Sequence, residues 1–150
     1  MDYKYNLENS YIKNKKNLDI LIVDDDTNSA ELFKEYLTMR GHNVSNLDEG
    51  VKCISNCMKN KYDIIFLDYH IGDIDGVELA DCLKDILKTN ALIYAYTGDN
   101  SPDAIKKFKD IGMNGALFKP INFKTINKIL IDLEEQKISI KKNNNSVIYF

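Results

Sequence analysis

The chain has 150 residues, of which 44% are hydrophobic and 29% charged, a length and balance typical of one soluble globular domain. The net charge of −3 gives no support for binding to nucleic acid. No apolar run approaches the roughly 18 residues of a membrane span, and the polar start is unlike a signal peptide. We therefore expect a cytoplasmic protein with no membrane or nucleic-acid partner.

Strand and helix patterns alternate along most of the chain. Residues 1–17 are predicted to be a flexible tail, 18–135 one domain and 136–150 a C-terminal tail. The predicted strands are 18–23, 42–47, 62–67, 91–96 and 115–118, and the predicted helices are 28–40, 49–60, 76–89, a helix from Pro102 to Gly112, and 122–135. This alternation predicts an α/β fold, a parallel sheet with helices on both faces.

Three other features are less specific. Cys53 and Cys57 share a predicted helix face, but no second Cys or His pair follows, so we expect packed side chains rather than a metal pair. The lysines around Phe108 indicate a solvated helix face, which could also contact a protein. The apolar residues 147–150 leave three possibilities open: disorder, pairing with a sheet edge, or pairing with a second molecule.

Polar residues follow four of the predicted strands where each one ends. Asp24 and Asp25 follow the first strand, Asp68 the third, Thr97 the fourth and Lys119 the fifth. Each has an ordinary explanation by itself, as a helix cap, a turn residue or a solvated strand end. Together they predict a site, because ligands of open parallel sheets bind at the carboxyl ends of the strands.

Three clustered carboxylates require a positive partner. At about 5 Å and an effective dielectric near 20, each pair repels by roughly 3 kcal/mol. Lys119 is one candidate to offset this repulsion, and a divalent cation is another. Oxygen ligands favour Mg²⁺ over zinc, and a carboxylate such as Asp68 can act as a nucleophile that accepts a phosphoryl group.

The order of these motifs resembles the receiver domain of response regulators in two-component and phosphorelay signalling. The motifs are LIVDDD, FLDYHIGDIDG, AYTG and GALFKP. The resemblance runs from about Leu18 to Glu135. It implies a flavodoxin-like, doubly wound (βα)5 fold with a five-stranded parallel sheet in the order 2-1-3-4-5.

The resemblance also implies roles for the acidic residues. Asp68 matches the phosphoacceptor. Asp24 and Asp25 match the acidic pair that positions Mg²⁺ (or Mn²⁺), with Asp25 and Asp68 as the direct carboxylate ligands. His70 matches the position that offers its backbone carbonyl to the metal.

Further matches concern the phosphoryl group itself. Thr97 matches the hydroxyl that turns toward it, Gly98 the small residue that keeps the pocket open, and Lys119 the lysine that pairs with it. The resemblance implies a cis peptide bond between Lys119 and Pro120. The side chains of His70 and Asp99 match positions that modulate the lifetime of the phosphoryl group.

The sequence departs from the family pattern at two places. Ile71-Gly72 stands where Met-Pro is common, so we expect a more mobile loop. Ala116 stands where the family usually has an aromatic switch residue. We therefore expect a weaker or differently placed conformational response around Ala116.

These matches predict a stand-alone receiver rather than a conventional enzyme. It would take a phosphoryl group from a phosphohistidine on a histidine kinase or phosphotransfer protein, and signal through an unidentified protein partner as a monomer or phosphorylation-dependent dimer. It would catalyse only its own phosphorylation and dephosphorylation. Two alternatives stay open: a phosphorylation-independent binding module, and a phosphatase of the haloacid-dehalogenase type, suggested by residues 24–27.

Overall fold

A computed structural model describes residues 17–120, 123–134 and 147–150. Its elements in chain order are β1 (Asp19–Val23), α1 (Thr27–Met39), β2 (Asn43–Leu47), α2 (Gly50–Lys59), β3 (Ile64–Leu67), α3 (Gly76–Asp81), a π-helical turn (Cys82–Ile86), β4 (Leu92–Thr97), α4 (Pro102–Asp110), β5 (Gly115–Phe118), α5 (Phe123–Glu134) and β6 (Val147–Tyr149). No helix within these residues has the length and apolar character needed to cross a membrane.

The strands form one sheet in the order β2-β1-β3-β4-β5-β6. The first five are parallel, which confirms the predicted fold and strand order. The sixth strand runs antiparallel to β5, with Leu117 opposite Val147 and Gly115 opposite Tyr149. Of the three possibilities for this apolar end, the structure has the pairing with the sheet edge. The predicted tail at 1–17 lies almost wholly outside the described residues, as does most of the tail at 136–150.

Two apolar clusters cover the two faces of the sheet. Helices α1 and α5 pack on one face, where Phe33 and Phe66 are fully buried, and we call this the α1/α5-side cluster. Helices α2, α3 and α4 pack on the other, where Leu79 and Phe108 are fully buried, and we call this the α2–α4-side cluster. Covered on both faces, β3 and β5 are continuous apolar runs without polar alternation.

The predicted helix ends are largely correct. Gly41 and Gly112 follow α1 and α4 with positive φ angles of 94° and 84°, a backbone conformation in which glycine carries no steric penalty. The prediction of a regular helix to residue 89 is wrong at its end: α3 changes to a π-helical turn after Asp81. There the Leu87 N–H donates to the Cys82 carbonyl, five residues earlier.

Candidate functional site

The carboxylates of Asp24, Asp25 and Asp68 come together at the carboxyl edge of the sheet. One oxygen from each lies within 4.8 Å of the others. The register explains this, because Val23 of β1 is opposite Leu67 of β3, so the next residue of each strand is an aspartate. Asp24 and Asp68 are buried and Asp25 is exposed. No other group of three potential metal ligands occurs among the described residues.

The Lys119 side chain lies between the two buried carboxylates. Its Nζ is 2.8 Å from Asp24 Oδ2 and 3.3 Å from Asp68 Oδ2, and 4.8 Å from the centre of the Tyr96 ring. Burial lowers the pKa of Lys119, but the hydrogen bond to Asp24 and the neighbouring negative charges outweigh burial and raise the pKa overall. The ammonium group is therefore held charged at the site.

Burial raises the pKa of Asp68 to about 6, assisted by the hydrogen bond with Asp24 and opposed by the charge of Lys119. The Asp68 backbone N–H donates to the Val23 carbonyl, and its Oδ1 accepts the His70 N–H at 3.3 Å. A second positive charge nearby would favour the ionised form, which is the form that can act as a nucleophile.

Thr97 ends β4, beside the strand that carries Asp68. Its side chain is buried, and its hydroxyl accepts the Asp99 N–H at 3.0 Å. Its carbonyl accepts the Lys119 N–H at 2.8 Å, which links the ends of β4 and β5. The space above Gly98 is open: a Cβ built there meets no atom within 4 Å. The Lys119–Pro120 peptide bond is cis, as the resemblance implies.

His70 and Asp99 meet at the rim of the site. The His70 Nε2 is 3.6 Å from Asp99 Oδ2, and the histidine side chain is 71% exposed. The pKa of Asp99 is lowered, first by the hydrogen bond from the Ser101 backbone N–H and less by His70. This pair joins the loop after β3 to the loop after β4.

The loop after β3 is tied down at several points. The Gly72 N–H donates to Asp25 Oδ2 at 3.2 Å, a bond that proline could not make. The Asp73 carboxylate accepts the N–H groups of Gly50 and Val51, which open α2, at 2.9 and 3.0 Å. These hydrogen bonds restrain the loop, although Ile71-Gly72 led us to expect a mobile one. The mobility of the loop stays a prediction.

Gly76 closes the same loop. A Cβ at this position would lie 2.3 Å from the Asp68 carbonyl oxygen, so the backbone carrying Asp68 packs directly on the start of α3. Ala116 is fully buried in the α2–α4-side cluster. Whether its small size weakens the conformational response stays a prediction.

Sequence reasoning missed three residues near the site. Asp73 gives no signal that it caps α2, because its partners are 22 and 23 residues away. The Tyr96 ring lies under Lys119 only because of how the strands and helices pack. The same is true of the contacts that Tyr69 makes with helix α4. Only the position of Tyr96 and Tyr69 beside site residues could have drawn attention to them.

The comparisons with known proteins support one family. Residues 20–131 match the model of the response regulator receiver domain. The chain belongs to this family. Among solved structures, this receiver domain is similar to a two-component response regulator from Clostridium difficile, with a TM-score of 0.75, 25% identity, and coverage of 80% of this chain and 98% of that one. The chemotaxis response regulator CheY4 of Vibrio cholerae shares the fold, with a TM-score of 0.72, 24% identity, and coverage of 79% and 99%.

The curated relatives are longer proteins. The receiver domain is 28% identical over 116 residues to the sensor histidine kinase AruS of Pseudomonas aeruginosa, covering 75% of this chain and 12% of AruS. It is 26% identical over 135 residues to the transcription factor SKN7 of Saccharomyces cerevisiae, covering 90% of this chain and 22% of SKN7. The chain thus spans less than a quarter of each relative. Membership in the receiver family leaves no support for a haloacid-dehalogenase type of phosphatase.

Proposed function

We propose that this receiver domain is a phosphoacceptor whose Asp68 takes a phosphoryl group from a phosphohistidine on a histidine kinase or phosphotransfer protein. One observation carries the proposal: two buried carboxylates and a third, exposed one lie within 4.8 Å of each other, with the Lys119 ammonium on the buried pair. A purely structural role does not require three clustered carboxylates, since their mutual repulsion destabilises the fold.

The donor set fits Mg²⁺ or Mn²⁺, because it consists of oxygens only and Asp25 is open to solvent. Asp25 and Asp68 would be the direct carboxylate ligands, with Asp24 supporting them and His70 offering its backbone carbonyl. When bound, the cation would offset charge on the transferring phosphoryl group.

Asp68 supplies the nucleophile in its ionised form. One carboxylate oxygen forms a bond to phosphorus, the N–P bond of the phosphohistidine breaks, and its electron pair returns to the imidazole nitrogen, which takes a proton. The product is an acyl phosphate on Asp68. Lys119 would pair with the phosphoryl oxygens, and the Thr97 hydroxyl and the open space above Gly98 would accommodate them.

Hydrolysis would end the signal. Water attacks phosphorus, the Asp68 carboxylate leaves, and inorganic phosphate is released. His70 and Asp99 stand at the rim of the site, 3.6 Å apart, where they would control the approach of this water. A His70→Asn variant should therefore lose its phosphoryl group at a different rate; an unchanged rate would remove this role.

The signal would pass to a protein partner through direct contacts. We also propose that the protein is cytoplasmic and that it is a monomer or a phosphorylation-dependent dimer. The alternative is a binding module that works without phosphorylation. Ala116 favours the alternative, since a methyl group there cannot act as an aromatic switch.

The direct test is the intact mass of the protein after incubation with a small phosphodonor and Mg²⁺. We expect one added phosphoryl group, absent in Asp68→Asn and without metal, and retained in the matched control Asp103→Asn, an exposed aspartate of α4. If no group is added to the unaltered chain, while a known receiver is labelled in parallel, phosphorylation by small donors is ruled out and the binding-module alternative gains support.

A further inference from the structure

Tyr69 connects the phosphoacceptor strand to helix α4. It directly follows Asp68 and is 9% exposed. Its ring packs edge-on against Phe108, with the ring centres 5.2 Å apart and the planes at 90°. Its hydroxyl accepts a hydrogen bond from Lys107 Nζ at 3.2 Å, and the pKa of Lys107 is raised chiefly by this bond. Tyr69 therefore contacts two consecutive residues of α4.

The backbone on both sides of Tyr69 depends on Asp68. The Asp68 Oδ1 accepts the N–H of His70 at 3.3 Å, so the carboxylate holds the peptide unit that follows Tyr69. The Tyr69 carbonyl accepts the Gly76 N–H at 3.0 Å. Because Gly76 also packs on the Asp68 carbonyl, the tyrosine has little room to absorb a change at the carboxylate without moving its ring.

Position 116 offers no comparable connection. Ala116, Tyr69 and Phe108 belong to the same apolar cluster, but the alanine carries only a methyl group. A methyl group has no hydrogen-bond donor or acceptor, whereas the tyrosine has a ring and a hydroxyl that both reach the helix. Tyr69 is thus the aromatic side chain in this cluster that is adjacent in sequence to the phosphoacceptor.

We propose that Tyr69 transmits the phosphorylation state of Asp68 to helix α4, a role that rests on the phosphoacceptor function proposed above. Conversion of the carboxylate to an acyl phosphate weakens the acceptor that holds the His70 N–H, since an uncharged acyl oxygen is a poorer acceptor than an ionised carboxylate oxygen. The peptide after Tyr69 then rotates, and the ring shifts against Phe108. The Lys107 hydrogen bond breaks or re-forms with this movement, and the lysine surface of α4 changes.

The chain offers a matched pair of lysines to test this role. Lys107 reaches Tyr69, whereas Lys106 bonds Asp110 within α4 at 2.7 Å. Lys107→Met breaks the connection to Tyr69 and leaves the tyrosine intact. Lys106→Met removes the same charge from the same helix without touching Tyr69. Tyr69→Phe removes only the hydroxyl and keeps the packing on Phe108.

The experiment compares backbone amide NMR shifts with and without beryllium fluoride and Mg²⁺, as a stand-in for the phosphoryl group. In the unaltered chain we expect amides at the site and in α4 (Pro102–Asp110) to shift. In Tyr69→Phe and Lys107→Met the α4 shifts should fall by at least about twofold, and the double variant should match either single one, because both changes break one connection. Site amides should respond as before in both variants, and Lys106→Met should behave like the unaltered chain.

The possible failures are distinguishable. If site amides of the unaltered chain do not respond, the phosphoacceptor function fails and the role of Tyr69 fails with it. If the site responds but α4 does not, or if the α4 shifts in Tyr69→Phe and Lys107→Met are as large as in the unaltered chain, the transmission through Tyr69 and Lys107 is refuted while the phosphoacceptor function stands. If the contact of Tyr69 with α4 were merely structural, each variant would shift the α4 amides by the same amount with and without beryllium fluoride. The change in α4 caused by beryllium fluoride would then be as large as in the unaltered chain.

Discussion

Replacing Lys119 with methionine removes the cation between the two buried carboxylates and should make stability depend more steeply on pH. The ammonium is 3.3 Å from Asp68 Oδ2 and its side chain is 21% exposed. Coulomb's law at this distance and an effective dielectric near 20 gives roughly 5 kcal/mol, which solvent screening at a partly open site reduces to about 2 kcal/mol. The pKa of Asp68, already raised to about 6, should rise further by about 1.5 pH units.

The sign follows from proton binding. A carboxyl group whose pKa is higher in the folded state than in the unfolded state contributes stability at low pH, and this contribution is lost as the pH rises through the folded value. In Lys119→Met the loss is larger and continues to higher pH. Between pH 4 and pH 8, the free energy of unfolding of Lys119→Met should therefore fall by about 2 kcal/mol more than that of the unaltered chain.

Urea unfolding at a series of pH values measures this difference directly. Lys109→Met, which changes an exposed lysine of α4, is the control and should show a difference independent of pH. A constant difference between Lys119→Met and the unaltered chain from pH 4 to pH 8 would refute the electrostatic role given to Lys119.

Three further predictions concern the metal, the loop and the sheet edge. Millimolar Mg²⁺ should raise the melting temperature of the unaltered chain and raise that of Asp25→Asn much less, as thermal unfolding would show; equal gains would place the cation elsewhere. Gly76→Ala should lower the free energy of unfolding by more than about 2 kcal/mol, since its Cβ would lie 2.3 Å from the Asp68 carbonyl oxygen; a near-neutral value in urea would contradict the close packing. Removal of 147–150 should uncover the edge of β5 and promote self-association in light scattering; an unchanged monomer fraction would show that the strand does not protect this edge.

Much of the fold follows from local patterns. Buried strands such as Ile64–Leu67 are continuous apolar runs, and the helix that begins at Pro102 has a serine cap, proline in its first turn and a glycine after its end. The π-helical turn after Asp81 was not foreseen, because the same apolar spacing suits a regular helix.

The candidate site, like the fold, has some features that the sequence predicts and others that depend on packing. The sequence by itself predicted that Asp24, Asp25, Asp68, Thr97 and Lys119 lie at one edge of the sheet, because parallel strands bring their carboxyl ends to one edge and each residue stands at the end of a recognisable strand. Only the tertiary structure decided which groups touch: the bonds of Lys119 to both buried carboxylates, the capping of α2 by Asp73, the pairing of β6 with β5 and the contact of Tyr69 with α4. Such contacts join segments that are far apart in sequence, and their partners are set by packing and register rather than by any local pattern.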